Sequence, residues 1–418
     1  MKKITPIILL TAVLFITGCG GKNKRNHETA AETPETVKIL PEGAIPAIYD
    51  GHIYVNMRFQ DTLAGYWLFD TGATMLYPDK TYLNLLGYRP ANTMKAYAPG
   101  AGDGMEQVEL ITDTLTLGSK DFLYTSAMSP ILDVRSIVGK IPDGIIGIIP
   151  FQDKPFMVNY DDGYLLIYER LDSAVTAGFT KVSIEFTRSN IYVPLTIGIG
   201  DGTVISDMFL MDTGSGGGIS LTRNAAEKYG LDKVVRNKTA SRFEAGGIGG
   251  EAAYNSFKAS NISIGDFTIA DQMLDYSSNS KGALGSGEKP YAGLVGNKIL
   301  DRFVLILDIP GKTLYLKPGN KYGTAGKESL SGMALTDRTD IYDGWVVNGL
   351  DAGGAAEKAG LAFNDIVTGF NGKPAGDRTW EEYREASYIP EKEYALTVNR
   401  NGEIFEAQIK NGSPRPAE

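Results

Sequence analysis

Two stretches of this 418-residue chain follow one plan, and that repeat limits the folds open to it more than any other feature. Leu68-Phe69-Asp70-Thr71-Gly72-Ala73 is answered by Leu210-Met211-Asp212-Thr213-Gly214-Ser215, each setting a carboxylate directly after apolar residues, where burial of a charge is resisted. The likeness extends to both sides. Ile53-Tyr54-Val55 precedes the first motif and Ile191-Tyr192-Val193 the second, both with strand composition. After each motif a short helix-like stretch ends at Gly87 or Gly230, and a glycine cluster suited to a hairpin tip follows, at 99–105 and 245–250. Apolar and polar residues then alternate up to Gly118 and Gly265, as in strands running into a turn. An apolar pair plus glycine comes next: Ile145-Ile146-Gly147 in one half, Leu294-Val295-Gly296 in the other. Hairpin-like pairs close the halves at 156–168 and 303–316. The chain therefore reads as mainly β, with two lobes of one design near 39–170 and 178–318.

Composition narrows the chemistry. A net charge of −9 offers no basic footprint for a phosphate backbone, so nucleic acid is not expected as a partner. The 2 histidines, His27 and His52, leave Ser-His-Asp and Cys-His machinery and most zinc sites short of parts, and neither metal nor other cofactor is expected. His52 opens a predicted strand and reads as a surface or ordinarily hydrogen-bonded residue. The glycine clusters lack the strand, helix and following acid of a dinucleotide site and the Gly-Lys-Ser/Thr of a P-loop. If the chain is an enzyme, its base is a carboxylate.

With Asp70-Thr71-Gly72-Ala73 and Asp212-Thr213-Gly214-Ser215 in ordered register, each answered by an apolar pair plus glycine, the first two lobes resemble the pepsin and retropepsin aspartic proteases. The resemblance implies two fused retropepsin-like β-barrel lobes in a pseudo-two-fold arrangement, a polypeptide substrate, and hydrolysis through Asp70 and Asp212. One chain carries both halves, so a monomeric protease unit is expected. The pairing has a physical reason. Two carboxylates in contact do not readily both ionise, so one keeps a proton that the pair shares. The ionised member takes a proton from water while the protonated member polarises the scissile carbonyl. Gly72 and Gly214, lacking side chains, let backbone approach the carboxylates. In the family Thr71 and Thr213 interlock the two loops, Gly147 and Gly296 lie where a neighbouring strand crosses under them, and the tips around Gly102 and Gly247 form flaps over an extended peptide. Ser215 stands where the first motif has Ala73, so only Asp212 has a nearby hydroxyl to stabilise its ionised form. Asp70 is accordingly expected to hold the shared proton.

The ends of the chain carry different signals. Lys2 and Lys3, an apolar run from Ile4 to Ile16 and then Thr17-Gly18-Cys19 read as an export signal over residues 1–18, with a run shorter than the ~20 residues of a spanning helix. This ending resembles a bacterial lipoprotein signal, which implies lipid on Cys19 and anchorage to a membrane of the cell envelope, facing periplasm or exterior. The polar residues 19–38 read as a flexible tether. Cys19 is the only cysteine, so disulfides and thiolate chemistry are excluded from the exported domains. Beyond a linker at 319–329, residues 344–373 resemble a PDZ domain of the kind appended to bacterial exported proteases, with the whole unit at 330–411. That resemblance implies a groove that holds a peptide as an added strand, flanked by a helix at 379–387 and by a carboxylate loop at 330–333 containing Gly332 and Met333. Ser331 departs from the usual apolar residue there. Thr379 with Glu382 reads as a capping box. The expected protein is an exported, lipid-anchored aspartic endopeptidase. A non-catalytic peptide-binding lipoprotein, acting through its cleft or its PDZ domain, stays open beside it.

Overall fold

Alternation along the strand Ile53–Phe59 shows how the sequence builds its sheets: Ile53, Val55, Met57 and Phe59 are buried while Asn56 and Arg58 turn outward. The computed structural model describes residues 39–62, 64–99, 105–200, 202–244, 251–286 and 288–416. The export signal 1–18, Cys19, the tether 19–38 and the tips bearing Gly102 and Gly247 lie outside the described residues. From Leu40 onward the chain forms one compact unit.

The repeat in sequence is a repeat in topology. Ile53–Phe59 pairs antiparallel with Ala64–Phe69, which runs parallel to Gly144–Ile146, and that strand pairs antiparallel with Leu76–Pro78. In the second lobe Asn190–Gly198 pairs with Val204–Met211, which runs parallel to Gly293–Val295, itself antiparallel to Ile219–Leu221. The register also corresponds, with Ile146 opposite Phe69 and Val295 opposite Met211. Each apolar pair plus glycine is thus the strand that lies beside an aspartate-bearing strand. The short helices match too. Asp79 caps Lys80–Leu85 through Tyr82 N–H at 2.8 Å, and Thr222 caps Arg223–Lys228 through Ala225 N–H at 3.0 Å. Gly87 and Gly230 follow them at φ +64°, the left-handed conformation in which glycine stops a helix.

A shared floor joins the lobes. Its strand order is Thr180–Ser183, Thr313–Pro318, Phe303–Asp308, Phe156–Asn159, Tyr164–Ile167, Ile45–Tyr49, so the two closing hairpins meet edge to edge with Phe156 opposite Leu307 and Asn159 opposite Val304. Tyr160 Oη donates to Asn297 Oδ1 and Tyr49 Oη to Asp301 Oδ2, both at 2.9 Å, tying the floor of one lobe to the other. The principal apolar core is continuous through both lobes. A ring cluster anchors the first-lobe side: Phe151 stacks on Phe122 at 5.1 Å and meets Phe69 edge-on at 5.0 Å.

Residues 330–411 have their own core, built from Trp345, Val347, Val367, Tyr383, Leu396 and Val398. The helix Asp377–Ser387 packs its buried Tyr383 and Ala386 into it. The helix begins earlier than the sequence suggested, after Gly376, and has no side-chain cap. Thr379 sits inside the first turn with its hydroxyl donating back to Pro374 O and Gly376 O, while Glu382 pairs with Lys373, so the expected capping box does not form. Among the described residues no helix is long and apolar enough to cross a membrane.

Phe151→Ala should cost about 3–5 kcal/mol, because a fully buried ring with three aromatic neighbours leaves a cavity that a β-rich core closes poorly. A denaturant midpoint compared with the parent protein measures this.

Candidate active site

Both aspartates leave their strands in the same way. Asp70 N–H donates to Ile146 O and Asp212 N–H to Val295 O, each at 3.0 Å, which fixes the two backbones before they turn. The chain then folds back on the carboxylates: Gly72 and Ala73 N–H donate to Asp70 Oδ1 at 2.8 and 3.0 Å, and Gly214 N–H to Asp212 Oδ1 at 2.9 Å. The crossing segments confine each loop. Gly147 N–H donates to Met75 O and Gly296 N–H to Gly218 O. A Cβ on Gly147 would lie 2.5 Å from the Thr74 carbonyl carbon, and one on Gly296 would lie 2.7 Å from Gly217 O. Neither position admits a side chain.

The two loops are locked to each other by their threonines, which are wholly buried. Thr71 Oγ1 donates to Met211 O at 2.7 Å and accepts from Thr213 N–H at 3.0 Å. Thr213 Oγ1 donates to Phe69 O at 2.7 Å and accepts from Thr71 N–H at 3.0 Å. Each hydroxyl bonds only across the lobe boundary, and the lock draws the carboxylates together. A Cβ on Gly72 would stand 2.8 Å from Asp212 Oδ1, and one on Gly214 would stand 2.2 Å from Asp70 Cγ. Each glycine therefore lies against the opposite lobe's carboxylate.

Asp70 and Asp212 are half-buried and their carboxyl groups are in hydrogen-bond contact. Burial raises both above the ordinary carboxylate range. Asp212 is raised well above it, by burial first and then by the charge of Asp70, whereas bonds from Gly72 and Ala73 N–H hold Asp70 down. Burial and mutual repulsion thus favour retention of one proton by the pair as a unit. Ser215 gives Asp212 its backbone N–H, while its Oγ accepts from Gly217 N–H at 3.3 Å and faces Gly296. Each acid therefore takes two backbone donors from its own loop, Gly72 and Ala73 for Asp70 and Gly214 and Ser215 for Asp212.

Three neighbours of the pair escaped the sequence reading. His52 is half-buried: its ring lies on the second loop, with Cε1 2.8 Å from where a Gly216 Cβ would be, and burial pushes its pKa down to about 4. Tyr54 Oη approaches His52 Nδ1 at 3.4 Å. The run Gly216-Gly217-Gly218 was the available signal, since it leaves room for a ring. Tyr291 lies within electrostatic reach of Asp212 and stacks on Tyr192 at 5.9 Å. Gly332 and Met333 belong to the packing of the C-terminal unit, with Gly332 at φ +69° against Gly354 and Met333 in the local core. Ser331 is buried there beside Ser329 Oγ and Tyr383 Oη, at 3.0 and 3.4 Å.

No protein-family model and no curated protein matches the chain. Among solved structures, an aspartic proteinase from Irpex lacteus overlays with a TM-score of 0.41 at 15% identity, covering 68% of this chain and 98% of that one. Basic 7S globulin from soybean overlays at 0.39 and 10% identity, covering 68% of this chain and 96% of its own. Overlays this loose add nothing to the geometry of the site.

Thr71→Ala and Thr213→Ala should each cost about 2–4 kcal/mol, since each removes two cross-lobe bonds and strands a buried N–H and carbonyl. Thr71→Ser keeps the hydroxyl and should recover most of the loss in a urea titration.

Proposed function

We propose that this protein is an aspartic endopeptidase that hydrolyses peptide bonds in polypeptides through Asp70 and Asp212. The observation that carries the reading is the pair of half-buried carboxyl groups, one from each lobe, held in contact where burial raises both and favours one proton for the pair. Ionised Asp70 takes a proton from a water lying between the pair, and the oxygen attacks the scissile carbonyl carbon. Protonated Asp212 gives its proton to the carbonyl oxygen in the same step. The result is a neutral tetrahedral diol with Asp70 protonated and Asp212 ionised. On collapse Asp212 recovers a proton from a diol hydroxyl, Asp70 protonates the leaving nitrogen, and the C–N bond breaks. No covalent intermediate forms. Thr71, Gly72, Thr213, Gly214 and Ser215 serve as positioning residues.

The hairpin arms Thr93–Pro99 with Met105–Ile111, and Thr239–Glu244 with Glu251–Ile264, support flaps at Gly102 and Gly247. Lipid on Cys19 and a tether at 19–38 would hold this monomeric unit on a bacterial envelope membrane. The C-terminal unit would act as a PDZ domain whose groove, beside Gly332 and Met333, takes a second peptide.

Asp70→Asn and Asp212→Asn should each lower cleavage of a peptide library by about a thousandfold while leaving the melting transition intact. Cleavage unaffected by either change overturns the mechanism, and peptide binding without cleavage by the parent favours a non-catalytic peptide-binding lipoprotein.

The pH dependence follows from the pair holding one proton. Raising pH through the elevated Asp212 value strips that proton and the rate falls; lowering pH until Asp70 also protonates removes the base, and the rate falls again. A plot of kcat/KM against pH should be a bell whose alkaline limb lies above the ordinary carboxylate range.

A further inference from the structure

The C-terminal unit is tied to both lobes, and its two attachments differ in kind. On the second lobe the attachment is a backbone ladder: the strand Trp345–Asp351 pairs with Thr239–Glu244, with Ser241 opposite Asp351, Arg242 opposite Leu350 and Phe243 opposite Gly349. Ala352 N–H donates to Ala240 O at 2.8 Å and Ser241 Oγ to Asp351 Oδ1 at 2.6 Å. Gly349 has no side chain because the Phe243 ring takes that space, 2.4 Å from where its Cβ would be. Thr239–Glu244 is one arm of a hairpin, paired with Glu251–Ile264. The sheet of the second lobe therefore continues, through that arm, into the C-terminal unit.

On the first lobe the attachment is made mostly by side chains, with a single backbone bond rather than a ladder. Lys140 Nζ reaches Asp377 Oδ1 at 2.6 Å, Thr339 Oγ1 at 2.8 Å and Asp337 Oδ2 at 3.1 Å. Lys140 N–H donates to Asp337 O at 2.9 Å, and Thr336 Oγ1 donates to Ile137 O at 3.2 Å. The strand Met333–Asp337 pairs with Trp345–Asp351, and Arg338 N–H bonds Gly344 O on that paired side, so the Asp337 carbonyl taken by Lys140 points outward, along the open edge. Arg135, bonded to Asp143 inside the first lobe at 2.8 Å, also faces Asp340 at 3.5 Å. Arg384 on the helix Asp377–Ser387 pairs with Asp50 at 2.6 Å, two residues before the His52 that packs on the Asp212 loop. Two of these partners have well-exposed side chains, Asp377 at 89% and Asp50 at 39%, whereas those of Asp337 and Asp340 are mostly covered, at 13% and 16%. Exposed ion pairs are individually weak and yield before a strand ladder does.

We propose that the C-terminal unit is an autoinhibitory latch: docked on the first lobe through Lys140 and Arg384, it immobilises the second-lobe hairpin arm Thr239–Glu244 and closes that side of the cleft. Released at the weak end, the unit stays with the hairpin and the two swing together, as a lid hinged on the second lobe. The mechanical part stands on the contacts alone; the inhibitory part rests on the peptidase reading.

The test is a Lys140→Ala/Arg384→Ala variant of the full chain, read by amide exchange and by peptide-library cleavage, with both single variants made in case the double variant loses its melting transition. Release should speed exchange at the residue-140 amide, which donates to Asp337 O across the first-lobe contact, by about tenfold and raise kcat/KM several-fold, mainly through KM, in a manner abolished by Asp212→Asn. Exchange at parental rates overturns the latch. Faster exchange with unchanged or lower cleavage overturns its inhibitory role. Faster exchange with no cleavage by either protein keeps the mechanical latch and instead overturns the peptidase.

Discussion

The exchange of hydrogen bonds between Thr71 and Thr213 is the constraint on which the rest of the site depends. Two lobes that share only a floor of strands would be free to hinge at the level of the aspartates. The threonine hydroxyls prevent this because each is buried and finds both its acceptor and its donor in the other lobe. Separating the loops breaks four buried hydrogen bonds at once, which makes the lock cooperative. Contact between the carboxyl groups is then a consequence, and so is the need for glycine at 72 and 214, since neither loop has space for a Cβ beside the opposing carboxylate. One proton shared by two acids is what the geometry leaves over.

Much of this arrangement could be read along the chain because the repeat is itself a record of spatial pairing. Ile145-Ile146-Gly147 and Leu294-Val295-Gly296 stood out by their matching place in the order of each half, and both form the strand beside an aspartate strand. Asp70 and Asp212 were found for the same reason, and the mainly β, two-lobed plan came with them. What escaped depends on direction rather than on residue type. Ser215 promised a hydroxyl for Asp212, but its Oγ turns to Gly217 and only its N–H reaches the carboxylate. Thr379 promised a cap, but the helix starts before it and the hydroxyl points back to carbonyls. For His52 the signal lay elsewhere in the chain, in the Gly216-Gly217-Gly218 run of the other lobe that receives its ring. Sequence spacing records strand order well and carries almost nothing about where a hydroxyl or ring is aimed.

Near symmetry extends from the backbone of the two loops to the donors around their acids. The aspartate strands, crossing strands and loops are copies, and each acid takes two N–H donors from its own loop, Gly72 and Ala73 for Asp70 and Gly214 and Ser215 for Asp212, while each faces the charge of the other. Burial raises both, so the pair titrates as one unit rather than as two separate carboxyls.

The copies diverge beyond the pair. In the first lobe, the face carrying Tyr54, Leu68 and Ile145 is covered by Val108 and Leu132 and forms a dry cluster. On the second lobe the topologically matching strands bring Tyr192, Leu210 and Leu294 to that face, but the next strands add Ser220 opposite Asp275. Asp275 Oδ1 is buried without a hydrogen-bond partner, and burial pushes the group up to about 6, against the opposing effects of Ser220 and Lys298. Because its folded value lies above the unfolded one, ionising Asp275 weighs against the folded state, and that cost is relieved as pH falls through about 6. The second lobe therefore carries a buried carboxylate on this face, and it is also the lobe whose hairpin arm is extended by a strand from the C-terminal unit.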